Sequence, residues 1–172
     1  YDLLCEEILA HARRKKDVPP IVAHFVESGP VQGGRILVAA PCWSLLVEVV
    51  ESQHAISQVQ PPFVITNAFS LLAYPVRMSK TRRESSARRL EVAQSMVGHV
   101  ASVGDLKSIL RSHVPAKGDF SICNHRRSGG GTESSHIIQI QGSTVLWSSC
   151  VGFPCESDYS TVQLFPVKGE LG

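Results

Sequence analysis

No uninterrupted apolar run in this 172-residue sequence approaches the 18 or so residues that a membrane-spanning helix requires. The formal net charge is only +2, and so small an excess gives no reason to expect nucleic acid or an anionic membrane as a partner. The first residues do not have the pattern of a signal peptide. These absences predict a cytoplasmic globular protein that binds neither nucleic acid nor membranes.

The sequence also lacks an even number of cysteines: it has five, which argues against the paired disulfides of a small secreted protein. Cys42 has no base close to it in the sequence that would activate a thiol, so it is a weak candidate nucleophile. Cysteine and histidine recur near the C-terminus with a spacing that matches metal sites only loosely: Cys123, His125, His136, Cys150 and Cys155. Because Cys123 and Cys150 lie in apolar, strand-like runs, we expect five free thiols, no metal and no cofactor.

Apolar periodicity divides the chain into blocks of helices and strands. Helical spacing predicts one pair of helices within residues 1–29 and a second within residues 85–113, where Ser102 and Asp105 are spaced as a capping box. Eight short β-rich runs surround the second pair: "RILVAA", "SLLVEVV", "HAISQVQ" and "FVITN" before it, then "FSICN", "SHIIQIQ", "TVLWSSC" and "YSTVQLFPV". Such blocks favour antiparallel sheets in an α+β fold, and the length suits a single domain over residues 1–172.

The segment "PPFVITNAFSLL" places a polar residue, Asn67, directly after a strand-like run. A carboxamide at a strand end can donate a hydrogen bond into a cleft and stabilise the oxyanion that forms when an acyl carbonyl is attacked. The alternative is an ordinary turn residue whose side chain bonds its own backbone. Spacing alone favours the turn.

Two charged features lie on either side of Asn67. Glu48 is inside "SLLVEVV", where a charged residue either has a partner or faces solvent on the open side of a sheet, and alternation with its valine neighbours favours solvent. A basic run follows Asn67: Arg77, Lys80, Arg82, Arg83, Arg88 and Arg89. This run can bind a carboxylate or phosphate, for example on a coenzyme A tail, or it can be a solvated helix entry balanced by Glu84 and Glu91.

Three segments, taken in order, resemble the acyl-coenzyme A:6-aminopenicillanate acyltransferase family, also called isopenicillin N acyltransferase-like. In "LLVEVVESQHAISQVQPPFVITNAF", a strand containing Glu precedes a run that ends in Thr-Asn. The next segment, "ESSARRLEVAQSMVGHVASVGDLKSILRSH", is similar to a helix pair of that family. The last, "DFSICNHRRSGGGTESSHIIQIQGSTVLWSSCVGFPCES", is similar to its closing strands, with their Ile-Cys-x-His and Pro-Cys-Glu signatures. The resemblance extends from about Ile8 to Phe165, and the order of the motifs is more specific than any one of them.

The resemblance implies an N-terminal nucleophile hydrolase, an αββα sandwich of antiparallel sheets of which this chain is the C-terminal part. Such an enzyme cuts its own precursor to expose a cysteine, whose thiol attacks an amide or thioester with its own α-amino group as the base. The resemblance implies Asn67 as the catalytic oxyanion donor. We further predict that Ala68 and Phe69, which follow it, and Arg82 and Arg83 of the basic run bind the substrate. Two departures are that Ala68 stands where the family has histidine, and that no cysteine of this chain is in the family's Cys-Thr context.

Two classes of function follow. In the first, the chain is part of a self-processing amide hydrolase or acyltransferase that acts on a small acylated amine or thioester, such as a coenzyme A thioester. A companion segment or subunit then carries the nucleophilic cysteine, and it covers sheet edges and apolar faces that the chain alone leaves open. In the second, the chain is a non-catalytic binding or assembly module that keeps the fold.

Overall fold

The computed structural model describes residues 2–29, 31–66, 69–72, 79–126, 129–142 and 144–166. Within these ranges its helices and strands are α1 (Asp2–His11), α2 (Val18–Glu27), β1 (Val31–Ala40), β2 (Trp43–Glu51), β3 (Gln53–Gln58), α3 (Lys80–Val97), α4 (Val103–Leu110), β4 (Ser134–Gln141), β5 (Thr144–Val151) and β6 (Ser160–Pro166). A short 3-10 helix, Lys15–Asp17, joins α1 to α2. All four strand pairings are antiparallel, which confirms the predicted α+β class.

The described residues form two compact units, each with its own sheet. Unit 1 contains the described residues up to Pro61 together with residues 69–72, and unit 2 contains residues 62–66 and the described residues from 79 onward. The strands follow sequence order in both sheets, β1-β2-β3 in unit 1 and β4-β5-β6 in unit 2. The expectation of a single domain over residues 1–172, incomplete without an upstream segment, stays a prediction.

In unit 1, α1 and α2 pack against one face of the sheet. The buried residues of α2 recur every fourth position, and the β2 residues of this core recur every second position, so that α2 and β2 each turn one apolar face to the core. The resulting core consists of Leu4, Ile8, Val18, Val22, Val26, Leu45, Val47 and Val49. Pro19 and Pro20 lie in the first turn of α2, where a proline costs the helix no hydrogen bond.

Strand β2 is buried on both of its faces. Leu46, Glu48 and Val50 alternate with the core residues of β2 and point to the opposite side of the sheet, yet none of the three is more than 2% exposed. The register pairs Glu48 with Arg35 on β1 and with Ala55 on β3, so the charged side chain lies at the centre of the sheet. The prediction of an open, solvated face beside Glu48 is therefore wrong.

Unit 2 contains the second pair of helices and a three-stranded meander. The capping box at the start of α4 is confirmed: Ser102 Oγ accepts the Asp105 N–H at 3.2 Å, and Asp105 Oδ2 accepts the Ser102 N–H at 2.8 Å. The hairpin between β4 and β5 is confirmed as well, with Gln141 paired to Thr144. Among the described residues, no helix combines the length and the apolarity that crossing a membrane would require.

Two of the eight predicted strands are not strands. Residues 63–66 of "FVITN" have no regular structure, and residues 121–123 of "FSICN" form bends. In the second case the segment bonds to nearby loops: the backbone N–H of Cys123 donates to the Ser112 carbonyl at 3.0 Å, and the Ser121 hydroxyl donates to the Gly118 carbonyl at 2.8 Å. Cys123 is buried here without being part of a strand, while Phe63 and Phe120 are exposed. A short apolar run alone cannot distinguish such an irregular segment from a strand.

Candidate functional site

Asn67 and Ala68, the first two residues of the predicted acyl-transfer site, lie outside the described residues. The residue before them is anchored within unit 2. Ser86 on α3 donates through Oγ to Thr66 Oγ1 at 2.9 Å, and Ser86 is only 2% exposed. This partly buried hydroxyl pair holds Thr66 against α3.

The segment that follows Asn67 is held within unit 1 by Glu48. One carboxylate oxygen accepts the backbone N–H and the hydroxyl of Ser70, at 2.7 and 3.0 Å. The other oxygen accepts the backbone N–H groups of Leu71 and Leu72, at 2.8 and 2.9 Å. Glu48 therefore faces a loop that supplies four donors, and this is why a charged residue is tolerated in the middle of an apolar strand.

The same hydrogen bonds decide the charge state of Glu48. Burial raises the pKa of its carboxyl group, but the hydrogen bonds from Ser70, Leu72 and Leu71 outweigh burial, and the resulting pKa lies below the ordinary value of 4.5. The group is consequently a carboxylate at neutral pH. Sequence reasoning did not identify these donors because three of the four are backbone N–H groups, which leave no signal in a sequence.

Phe69, a predicted substrate-binding residue, is half-buried in unit 1. The Arg35 guanidinium carbon lies 5.9 Å from the centre of its ring, within the range of a cation–π contact. A Cβ atom on Gly33 would lie 3.4 Å from the edge of the same ring and 2.9 Å from Val50 Cγ2. Gly33 thus gives the ring room against β1.

Arg82 and Arg83, the predicted anion-binding pair, are exposed in the first turn of α3 in unit 2. Other members of the basic run are paired along the helix: Lys80 contacts Glu84 at 3.8 Å, and Arg88 contacts Glu91. These pairs match the solvated helix entry described above. Substrate binding by Arg82 and Arg83 stays a prediction.

Unit 2 also contains a cluster of thiols and imidazoles, which we call the Cys/His cluster: His113, Cys123, His125 and Cys155. Each of the four residues offers one potential ligand atom, and these four atoms all lie within 4.8 Å of one another. His125 Nε2 lies 3.4 Å from Cys123 Sγ and 3.2 Å from Cys155 Sγ. Three of these residues belong to the predicted cysteine and histidine set, and His113 is an addition.

Hydrogen bonds to the backbone hold the three segments that carry the Cys/His cluster. The Cys123 N–H donates to the carbonyl of Ser112, the residue before His113, at 3.0 Å. The His125 N–H donates to the Gly118 carbonyl at 3.2 Å. Arg111 Nε donates to the carbonyl of Pro154, the residue before Cys155, at 2.7 Å. The three segments are therefore fixed next to the ligand atoms themselves.

Cys123 is buried and the other three residues of the Cys/His cluster are half-buried. Cys123 is fully buried, and burial raises the pKa of its thiol to about 11. The His125 ring stacks on Phe153 with 3.9 Å between ring centres, and it meets the His113 ring edge-on at 5.1 Å. Burial, followed by the charge of Lys117, lowers the pKa of His125. Without a bound cation, Cys123 and His125 are thus uncharged at neutral pH.

The remaining cysteines and histidine of the predicted set lie elsewhere. His136 is exposed on β4, and its Nδ1 accepts the Trp147 Nε1–H at 3.2 Å. Cys150 is buried on β5, with its Sγ 3.7 Å from the Ser157 carbonyl oxygen. Cys42 is exposed in the turn between β1 and β2, and Cys5 is half-buried on α1. Three residues of the predicted set thus belong to the Cys/His cluster, whereas His136 and Cys150 do not.

His113 could have been noticed in the sequence only with difficulty. It lies three residues beyond the end of α4 and ten positions before Cys123, and neither interval is a familiar ligand spacing. The signal that remains is the order His-x9-Cys-x-His-x29-Cys, which becomes meaningful once the loops are known to meet.

No protein-family model matches the chain, and neither a curated protein nor a solved structure gives a match.

Proposed function

We propose that this chain is the C-terminal part of a self-processing, cysteine-type amide hydrolase or acyltransferase. Asn67 is its oxyanion-hole donor, and a companion segment or subunit carries the nucleophilic cysteine. The substrate is a small acylated amine or thioester, with Ala68, Phe69, Arg82 and Arg83 as substrate-binding residues. In this proposal the fold is the αββα sandwich of the N-terminal nucleophile hydrolases, and the two antiparallel sheets with their helices are consistent with it.

The observation that carries the proposal is the buried Glu48 carboxylate and its four hydrogen bonds to residues 70–72. An oxyanion donor stabilises a transition state only when the backbone that carries it is held in place before the reaction. Glu48 holds the chain three residues after Asn67, and Ser86 holds Thr66 directly before it. Both anchors lie in the segments that resemble the acyltransferase family.

An exposed apolar face in unit 2 supports the companion. Ile138 faces Trp147 across the β4–β5 pair, and Trp147 faces Val162 across the β5–β6 pair, so the three side chains form one row. They are 65%, 38% and 53% exposed, respectively. A row of large apolar side chains on one face of a sheet marks a surface that another segment covers.

The same exposed row also favours the second candidate, a non-catalytic assembly module. This reading gains weight from Ala68, which replaces the histidine expected from the family pattern. The two candidates differ in one measurable respect, because an assembly module binds its partner without forming a covalent acyl intermediate.

The deciding experiment uses protein expressed with its upstream coding region. Turnover is measured on a panel of chromogenic amides and acyl-coenzyme A thioesters, and the intact mass is recorded after a short incubation to detect an acyl-enzyme. We expect Asn67→Ala to lower kcat by about 10²–10³-fold, the usual cost of one oxyanion donor. Gln53→Ala, at an exposed position on β3, is the matched control. Near-normal turnover in a folded Asn67→Ala protein would contradict the oxyanion role and favour the alternative, in which Asn67 is an ordinary turn residue.

A further inference from the structure

We propose that the Cys/His cluster is a zinc site, in which His113, Cys123, His125 and Cys155 bind one Zn²⁺ ion as a closed, structural Cys2His2 centre. The proposal is independent of the acyl-transfer function, because no residue of the cluster belongs to the predicted catalytic or substrate-binding set. It also revises the expectation, drawn from spacing, that the chain holds no metal.

The chemistry of the four side chains favours zinc over other metals. Two thiols and two imidazoles provide soft sulfur and borderline nitrogen ligands, and the cluster contains no carboxylate. Thiolate and imidazole favour Zn²⁺, whereas Mg²⁺ and Ca²⁺ require oxygen ligands. With all four tetrahedral positions filled by protein side chains, no position remains for water or substrate, which is the mark of a structural site rather than a catalytic one.

The spacing of the ligand atoms fits such a centre. Zn–S bonds of about 2.3 Å and Zn–N bonds of about 2.0–2.1 Å place tetrahedral ligands about 3.3–3.8 Å from one another. The two sulfur-to-nitrogen distances at His125 are 3.4 and 3.2 Å. The widest separation within the cluster is 4.8 Å, so no pair of ligand atoms needs to approach by more than about 1–1.5 Å.

A second observation comes from His113. Its Nε2 atom is buried and has no hydrogen-bond partner among the described residues. A buried polar atom without a partner destabilises the folded state, so its presence needs a reason. An ion bound among the four residues would supply that reason, because it would either bond to the His113 imidazole through Nε2 or hold the ring in one orientation.

The positions of the four residues explain what the ion would do. His113 follows α4, Cys123 and His125 lie in the irregular segment before β4, and Cys155 follows β5. Because these segments have little regular secondary structure of their own, a shared ion would connect them more strongly than their few hydrogen bonds do. Binding replaces the proton of each thiol with a Zn–S bond and releases two protons to solvent, and no oxidant or reductant takes part.

The first test measures zinc on the full chain, purified in reducing buffer and loaded with zinc chloride. We expect one zinc per chain by elemental analysis, and a native mass increased by one zinc ion less two protons. We also expect a lower Tm after removal of the metal with a chelator, and recovery of the Tm when zinc is returned. Cobalt in place of zinc should give the absorption bands of tetrahedral cobalt with thiolate ligands.

Variants then assign the ligands. Cys123→Ser and Cys155→Ser should each weaken zinc binding by more than about 100-fold, beyond the effect expected for residues that only surround a metal site. Cys150→Ser and His136→Ala are matched controls in the same unit and should keep the wild-type zinc content. If a ligand variant fails to fold, the cobalt spectrum of the wild-type chain still tests the site.

Three results would overturn the proposal. One is a wild-type chain without zinc above background and with the same Tm in chelator. Another is an equal loss of zinc in the Cys150→Ser control. The third is a non-reduced protein lighter by two hydrogens, with a peptide that links Cys123 to Cys155, since a disulfide would remove both sulfur ligands.

Discussion

The carboxylate of Glu48 accepts the backbone N–H of Leu72 at 2.9 Å, although the two residues are 24 positions apart in the chain. The same carboxylate accepts three further donors from Ser70 and Leu71. A single buried anion on β2 therefore fixes a loop that has no regular secondary structure of its own.

Glu48→Gln should lower the free energy of unfolding by about 2–4 kcal/mol. Hydrogen bonds to a charged acceptor are each worth about 1.5–3 kcal/mol, and the amide that replaces the carboxylate would turn an N–H donor toward other donors. Urea unfolding followed by circular dichroism measures the change. Glu27→Gln, an exposed glutamate at the end of α2, is the control and should change stability by less than about 0.5 kcal/mol. Equal stability of the two variants would contradict the role of Glu48.

The contribution of Glu48 should depend on pH with a definite sign. Its pKa is lower in the folded chain than the ordinary value of 4.5, so the folded state binds the proton less readily than the unfolded state does. The stabilisation is complete above the ordinary value and is lost as the pH falls through the pKa of the folded state. The difference in unfolding free energy between wild type and Glu48→Gln should thus be constant from pH 7 to about pH 6 and shrink below about pH 4.5. A difference that grows on acidification would show the opposite linkage.

Gly131→Ala should destabilise unit 2. An added Cβ atom would lie 2.0 Å from the Asn124 carbonyl oxygen and 2.9 Å from the Phe153 ring, and Gly131 has a φ of +142°. We expect a loss of about 2–4 kcal/mol from the clash and the backbone strain together. Gly129 has a φ of +88° with open space around it, so Gly129→Ala tests the strain alone and should cost about 1 kcal/mol. Similar losses in the two variants would mean that the loop moves to accept the methyl group.

Ile138→Lys should weaken association with a companion segment. Burying an isoleucine side chain is worth about 1.5–3 kcal/mol, so its loss should reduce affinity by about 10- to 100-fold. Calorimetric titration with the separately expressed upstream segment measures the effect. Gln163→Lys places the same charge on the opposite face of β6, next to Leu146, and should leave the affinity unchanged. An equal effect of the two substitutions would show that charge, and not the apolar row, controls binding.

Periodicity and capping signals predicted those parts of the fold that depend on neighbouring residues in the chain. The capping box of Ser102 and Asp105 and the β4–β5 hairpin are local, and both are confirmed. The strands predicted for "FVITN" and "FSICN" are wrong, because a short apolar run does not by itself distinguish a strand from an irregular segment. Whether such a segment forms a strand depends on tertiary contacts, such as the hydrogen bond between Cys123 and Ser112.

The candidate sites also contain residues that the sequence predicts and residues whose role depends on tertiary structure. The sequence drew attention to Cys123, His125 and Cys155, since thiols and imidazoles are recognisable one residue at a time. It gave only a weak sign of His113, because the place of this residue in the cluster depends on how the chain continues after α4. It also misplaced Glu48, because alternation assumes that one face of a strand meets water, whereas both faces of β2 are buried.

The chain contains two tryptophans, Trp43 on β2 in unit 1 and Trp147 on β5 in unit 2. Each unit therefore has its own intrinsic fluorophore. Replacing one tryptophan with phenylalanine leaves an emission signal that reports on the other unit alone. The unfolding of the unit with the buried glutamate and of the unit with the thiols and imidazoles can in this way be followed separately in the same unlabelled chain.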